Sequence, residues 1–453
     1  MSLAPAHDQF DELRRSLAGP MLRPGAAAYD SARKIFNGMI DRKPCAIAQC
    51  TGVADVLAAL EFAQRHGLPI TVRGGGHSAA GYALADNALL IDLSTMRGVR
   101  VDPVKRTARA AAGAILGEFD RETQVFGLAT PLGTNTITGL AGLALGGGVG
   151  WLSRRFGLTC DNLLSADMVT ADGRVVHASA TENEDLFWGL RGGGGNFGIV
   201  TSFEFQLHPV GPVVVAGMLV HPLARAWDLY RFHRDYIRTA PEEIVTHLAL
   251  VTTPDGHPAA TILVCYSGDP EHAEKTIRPL REFAPAVADL IHPMSYCQMQ
   301  AMLDHLFPPG IRCYWTGGCL PEVTDDAIGA LIQAATPMPS SHSAVALEYH
   351  TGAASRVAPD ATAYAHRGAE ALVVIAGMWH DPAQDEVNIR WGRETWKAMR
   401  PHSQGTYSNL LGIDDDGRAR ASFGVNYDRL AILKKKYDPQ NIFRHNQNVV
   451  PSA

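Results

Sequence analysis

Three glycine-rich segments mark the N-terminal half of this chain: RGGGHS (73–78), GLAGLALGGGVG (139–150) and RGGGGNFG (191–198). Glycine loses more backbone freedom on folding than any other residue, so such runs are costly unless bare backbone is required. With no Cβ in the way, backbone N–H groups approach a ligand closely, and consecutive amides form a nest for an anion. A single run reads as a tight turn or a close strand contact. Three runs between residues 73 and 198 suit a long ligand that the chain wraps. A dinucleotide has that shape, and its pyrophosphate is the anion.

Familiar phosphate-binding motifs do not account for these runs. No G-x-x-x-x-G-K-[ST] segment is present, so there is no P-loop. A Rossmann fingerprint belongs at the first strand–helix turn, with an acid about 20 residues further on. Here the first predicted strand, CAIAQC (45–50), runs into TGVADV, which does not fit.

Residue patterning predicts strand 45–50, then a helix over 52–66 with Thr51 as N-cap and Gly67 as C-cap. A second strand at 68–72 leads into the first glycine run. Further strands are expected at 87–94 and 107–114, and a short helix at 117–127. LLSADMVTA and RVVHAS read as a hairpin joined at Asp172-Gly173. Beyond Pro212 the composition changes. Strands at 213–220, 247–253, 259–266, 343–350 and 371–377 outnumber the intervening helices (270–283, 324–335, 385–399). That ratio predicts an antiparallel sheet with helices on one face. The tail is a helix stopped at Asp438-Pro439, then an arm rich in amides.

Composition excludes several classes. The 453 residues carry a formal net charge of −6 with no basic run, so neither nucleic acid nor an anionic membrane is an expected partner. No apolar stretch approaches the ~20 residues of a membrane helix. The first 25 residues lack an apolar signal core, so a cytoplasmic location is expected. Seven cysteines without a C-x-x-C pair, and no H-E-x-x-H, give no disulfide framework and no metal site.

Two features point to chemistry. His77 directly follows the first glycine run, where an imidazole acts as a base, a phosphate donor or a covalent ligand; its neutral ring nitrogen is a nucleophile. In the strand 343–350, a period of two puts Ala344, Ala346, Glu348 and His350 on one face. Small residues beside polar ones suit a cavity wall over a ring. Tyr314, Trp315, Trp379, His380 and Tyr407 are neighbouring candidates.

These segments, with IDLS (91–94), GLALGGGVGWLSRRFGLTCDNLLSADMVTADG (142–173), EDLFWGLRGGGGNFGIVTSF (184–203) and YDPQNIFRHNQN (437–448), resemble a known family. It is the FAD-linked oxidases of the vanillyl-alcohol oxidase and p-cresol methylhydroxylase type, in particular their berberine-bridge-enzyme-like branch. The resemblance runs from about residue 30 to the C-terminus. It implies a two-domain α+β fold: an FAD-binding domain (1–212), a substrate domain (213–404) whose antiparallel sheet covers the isoalloxazine ring, and a C-terminal segment (405–453) returning to the FAD domain.

The resemblance also assigns residues. His77 matches the flavinylated histidine, which would make an 8α-histidyl bond. Arg73, Gly74, Gly75, Gly76, Ser78 and Gly81 match the pyrophosphate loop. Gly133, Thr134, Thr138, Gly139 and Gly142, then Gly146, Gly147 and Gly150, match the segment along the ribityl chain and ring. Asn162 and Val200 fall near the adenosine end and the ring, and Asn446 and Asn448 match the terminal amides. Bicovalent members add a cysteine before the triple glycine. Gly139 stands there and Cys160 lies beyond, so one covalent bond is expected. Plant-type members carry Y-x-N-Y with a tyrosine base. TYSNLLG (406–412) keeps Tyr407 and Asn409 but has Leu410 at the base position. Tyr407 with Asn409, His350 and His380 remain as catalytic candidates, and Tyr314, Trp315, Glu348 and Trp379 as substrate contacts. The implied function is an FAD-dependent oxidase of a small-molecule alcohol, amine or phenolic secondary metabolite. O2 would be reduced to hydrogen peroxide by a monomer or homodimer. A flavin dehydrogenase and a non-catalytic, ligand-sequestering flavoprotein are the alternatives.

Overall fold

The structure, a computed structural model, describes residues 7–414 and 416–453. Strands Ala46–Gln49 and Ile70–Arg73 both pair in parallel with Leu89–Asp92, and Met21–Leu22 adds an antiparallel edge. The helix Val53–Arg65 connects the first two strands, as a parallel pair requires. It buries Val56, Ala59, Leu60 and Ala63, one apolar stripe at helical spacing. Its N-cap is Gly52 rather than Thr51. The Asp55 carboxylate, in the helix's first turn, instead ties down the preceding chain, accepting from Thr51 N (2.8 Å) and Ala18 N (2.8 Å). Gly67 follows the helix with φ +64°, the left-handed conformation that ends many helices.

A five-stranded antiparallel sheet follows, in the order Val99–Asp102, Thr107–Ala111, Gly198–Gln206, Leu163–Thr170, Val175–Ser179. The last two form the expected hairpin, with Gly173 at φ +77°. These two sheets share one apolar core. Phe423, Leu430, Leu433, Phe443 and Val449 pack into the same core.

The second core belongs to an eight-stranded sheet whose pairings are all antiparallel. Its main order is Ala288–Asp289, Val213–Pro222, Pro258–Tyr266, Ile244–Thr252, Ala344–Tyr349, Ala371–Trp379, Arg312–Leu320. Helices Ala226–Thr239, Pro270–Glu282, Asp325–Ala335 and Asp385–Met399 cover one face. The other face looks toward the glycine segments. Buried Arg154 fastens the two units, donating to the carbonyls of Ile237 (3.2 Å) and Ala240 (3.1 Å) at the C-terminal end of a second-unit helix.

Candidate active site

Between the glycine segments and the open face of the large sheet lies a cavity of about 1250 Å³. That exceeds the usual small-molecule pocket, about 300–1,000 Å³, and so has room for a long ligand and a second molecule. On the glycine side, the first and second runs lie back to back. A Cβ built on Gly75 would stand 2.4 Å from the Cα of Gly139, and one on Gly139 would stand 2.5 Å from the Gly75 nitrogen. Only bare backbone fits there. Gly76 has φ +67°, which turns the loop into His77.

Arg73 anchors this loop rather than offering its charge to the cavity. Its guanidinium makes a two-pronged pair with buried Asp92 (Nε to Oδ1, 2.9 Å) and donates to the carbonyls of Ala32 and Lys34. His77 stacks on Phe36 with ring centroids 4.0 Å apart. Its Nε2 is buried with no partner in the protein. Burial pulls the imidazole down to about 4, so the ring is neutral near pH 7 and keeps a lone pair.

The C-terminal arm forms the next wall. Buried Lys434 donates to Asn196 O (2.7 Å), Asp438 Oδ2 (2.7 Å) and Phe443 O (2.8 Å). Asp438 in turn accepts from the backbone of Ile442 and Phe443. Asn446 donates to Gly195 O (3.1 Å), while the Oδ1 atoms of Asn446 and Asn448 are buried without partners. The arm is thus stitched to the third glycine run, and both line the cavity.

Opposite, the large sheet presents Ala344, Ala346 and Glu348 from one strand. Glu348 keeps some surface, but that surface opens into the cavity, and the surrounding protein pushes its carboxyl up to about 7. Its cross-strand neighbour is His247. Burial holds His247 down to about 4, and neither of its ring nitrogens has a protein partner. The Tyr407 hydroxyl oxygen accepts from Gly148 N (2.9 Å) and Asn409 Nδ2 (2.8 Å), and burial raises its pKa.

The cavity brings together many of the residues singled out in the sequence. Arg73, Gly74, Gly75, Gly76, His77 and Ser78 line it, as do Gly133, Thr134, Thr138, Gly139 and Gly142. Val200, Asn446, Trp315, Glu348, Tyr407 and Asn409 line it too. Others stand outside its walls. His350 follows the end of its strand, so the alternation no longer aims it at the cavity; it is buried beside Tyr364, ring centroids 5.6 Å apart. His380 is exposed just past its strand and meets His342 edge-on at 4.6 Å. Tyr314 points the other way from Trp315, and a Cβ on Gly392 would stand 2.6 Å from its ring. Trp379 is fully buried and donates to Asp385 (2.7 Å).

Five further positions support the walls from behind. Gly81 turns the chain at φ +74° against Ile40, and Gly150 lies against the Leu132 carbonyl. A Cβ on Gly146 would overlap the Asn409 side chain, and one on Gly147 would meet the Tyr364 ring. The Asn162 amide is spent on the carbonyls of Phe156 (2.9 Å) and Leu158 (2.8 Å). Asn448 is not among the lining residues either. Cys160 is buried, and burial raises its thiol. Sequence reading missed His247 and the lining residues Phe443, His445 and Gln447. The alternation of His247, Ala249 and Val251 in HLALVTT was the available signal for the first. Among the described residues, no cluster of His, Cys, Asp or Glu could hold a metal ion, and no helix is long and apolar enough to cross a membrane.

FAD fits this chemistry. The Cβ-free cradle, the unpartnered nitrogen of His77 and the unpartnered amide oxygen of Asn446 are what a dinucleotide with a flavin ring would occupy. The comparisons with known proteins agree. An FAD binding domain profile matches residues 44–179, and a berberine and berberine-like profile matches 406–450. An FAD-linked oxidoreductase of Dictyostelium discoideum is 32% identical over 448 residues, covering 97% of this chain and 96% of the relative. A chitooligosaccharide oxidase of Gibberella zeae is 30% identical over 465 residues, covering 95% and 92%. The crystal structure of 6-hydroxy-D-nicotine oxidase from Arthrobacter nicotinovorans superposes with a TM-score of 0.89 at 29% identity, over 96% of this chain and 99% of that one. With both ends of the chain matched and relatives aligned along nearly their whole length, this chain belongs to the FAD-linked oxidoreductases of the berberine-bridge-like family.

Proposed function

We propose that this protein is an FAD-dependent oxidase of a small molecule bearing an alcohol, amine or phenol, with O2 reduced to hydrogen peroxide. One observation carries the reading: a single cavity holds the free imidazole nitrogen of His77 on its glycine wall and the raised carboxyl of Glu348 on its sheet wall. Residues 1–212 with the returning arm form the cofactor side in this reading, and 213–404 the substrate side. When bound, FAD would supply a hydride acceptor whose electrons oxygen can take.

The chain's own residues do the rest. His77 presents a neutral nucleophilic nitrogen and would be the residue that holds the ring at its 8α carbon. Gly139 offers no second tether, and Cys160 is not a lining residue. Glu348 takes up the O–H or N–H proton at its carboxylate while the adjacent C–H leaves as hydride; a base titrating near neutral pH is suited to that task. His247 hydrogen-bonds the substrate heteroatom with a free ring nitrogen. Tyr407 stays protonated. Its oxygen already accepts two N–H bonds, so it serves as a hydrogen-bond donor and not as the base. His350 and His380, outside the cavity walls, take no part.

The test is anaerobic mixing with substrate. The yellow absorbance should bleach, return on admitting air at the rate of turnover, and yield one peroxide per substrate. Slow return in air with fast return to an artificial dye would make the protein a dehydrogenase. No bleaching by any member of a broad panel would leave a binding protein.

A further inference from the structure

The substrate side of the cavity is the exposed face of the eight-stranded sheet, and its register shows what that face offers. Thr261 stands opposite Ala249, Ala249 opposite Ala346, and Ala346 opposite Val374, giving a row of small side chains across four strands. A neighbouring row runs from Ala344 through Ala376 to Trp315. All of these residues line the cavity. The Thr261 hydroxyl is spent on the Ala249 carbonyl at 3.2 Å. Hydrogen-bonding capacity on this floor is confined to the adjacent His247 and Glu348, and to the unpartnered Trp315 N–H at its edge. No lysine lines the cavity and Arg73, already paired with Asp92, is the lone arginine that does, among the described residues.

The mouth repeats the theme. Val287, Leu290 and Leu306 line the cavity and are 69%, 52% and 37% exposed. Large apolar side chains clustered at an opening mark a surface that receives apolar ligands. The polar groups at this opening are few: Asp255, which accepts from the Thr253 hydroxyl, His305, and His342, whose ring meets His380 edge-on.

A sugar carries a hydroxyl on nearly every carbon, and each hydroxyl buried without a partner is costly. This floor has too few partners to satisfy one ring, and it has no free cation for a carboxylate. Given the oxidase reading above, we infer that the substrate is an apolar ring body carrying a single amine or hydroxyl beside the C–H that is oxidised, and not a carbohydrate or a carboxylate. Small alanines leave a smooth, wide floor for the rings. The one polar pair, His247 with Glu348, meets the heteroatom.

The test is titration of the flavin-loaded protein, followed by the visible flavin spectrum without oxygen, so that perturbation or bleaching both report occupancy. The probes are 1-aminoindane and 1-indanol, with cellobiose and indane-1-carboxylate as comparators. At least one of the first two should half-saturate at a concentration a hundredfold or more below either comparator, and which one does so distinguishes amine from hydroxyl. Ala346→Asp, which puts a carboxylate in the middle of the floor, should raise that concentration at least tenfold at unchanged flavin content. Equal or tighter binding of cellobiose or the carboxylate, or no response to both indanes, overturns the inference. Occupancy is independent of the electron acceptor, so slow reoxidation in air would overturn the oxidase reading and leave this order of affinities standing.

Discussion

Glu348 stands directly opposite His247 on neighbouring antiparallel strands, and both side chains face the cavity. Burial moves the two in opposite directions, the carboxyl up to about 7 and the imidazole down to about 4. Above neutral pH the pair is one carboxylate beside one neutral ring, with the protonated Tyr407 nearby. The carboxylate is the form that accepts a proton. Flavin reduction should therefore speed up as pH rises through about 7 and then level off. Glu348→Gln should lower that rate by about 10²–10⁴-fold and abolish the limb near 7, with flavin content unchanged. Stopped-flow anaerobic reduction across pH 5.5–9 provides the check.

His77 decides how the cofactor is held. Acid precipitation of the wild-type protein should carry the yellow colour into the pellet. His77→Ala should leave the colour in the supernatant, since Phe36 and the glycine backbone offer no alternative nucleophile at that place. A pellet that stays yellow in the variant would refute the assignment.

The back-to-back contact of Gly75 and Gly139 has no room for a methyl group. Gly75→Ala should cost about 1–3 kcal/mol, the usual range for overpacking, and reduce flavin incorporation. Gly98→Ala is the control, because nothing lies within 4 Å of a Cβ there. Thermal melts and the ratio of flavin to protein absorbance separate the two variants.

Asp120 and Gln300 form a buried pair, with Gln300 Nε2 donating to Asp120 Oδ2 at 2.9 Å. Asp120 Oδ1 and Gln300 Oε1 are left without partners, an arrangement that a proton on Oδ1 completes. Burial pushes Asp120 up to about 7, well above its unfolded value of 3.8. The folded state thus holds this proton more tightly than the unfolded chain does. That stabilisation is complete below about pH 4 and is lost as pH rises through about 7. The melting temperature should fall as pH rises from about 4 to about 7 and level off above that. Asp120→Asn, which keeps a donor toward Gln300, should flatten that fall.

Lys434 and Asp438 are both fully buried, and each completes the other's charge. Lys434→Met leaves the Asp438 carboxylate uncompensated and should cost about 3–5 kcal/mol. Because the pair carries the arm that touches the third glycine run, flavin binding should weaken as well. The double change with Asp438→Leu should recover part of the lost stability, as read by denaturant titration.

Local signals made much of this architecture readable. The three glycine runs announced a bare-backbone cradle, and alternation in 343–350 put Ala344, Ala346 and Glu348 on the cavity side. The same rule failed at His350 because the strand ends at Tyr349, and periodicity says nothing beyond a strand's last residue. Strand Arg312–Leu320 was hidden because RCYWTGGCL has no period of two; its place depends on pairing with Ala371–Trp379, some sixty residues away. Helix Ala226–Thr239 buries Leu229, Tyr230, His233 and Ile237, a stripe masked by its aromatic and basic members. Alternation in HLALVTT set His247 on one face with Ala249 and Val251 but gave no hint of its partner. Its significance comes from standing across from Glu348, a pairing between residues a hundred positions apart that only the fold reveals.

The arm that brings Phe443, Asn446 and Gln447 to the cavity also sets a schedule. His77 emerges from the ribosome some 370 residues before these side chains exist. Until they arrive, the glycine cradle lacks one side and has nothing to close it against solvent. A polypeptide cut short between residue 198 and the arm therefore holds all three glycine runs but lacks the wall that Phe443, Asn446 and Gln447 build.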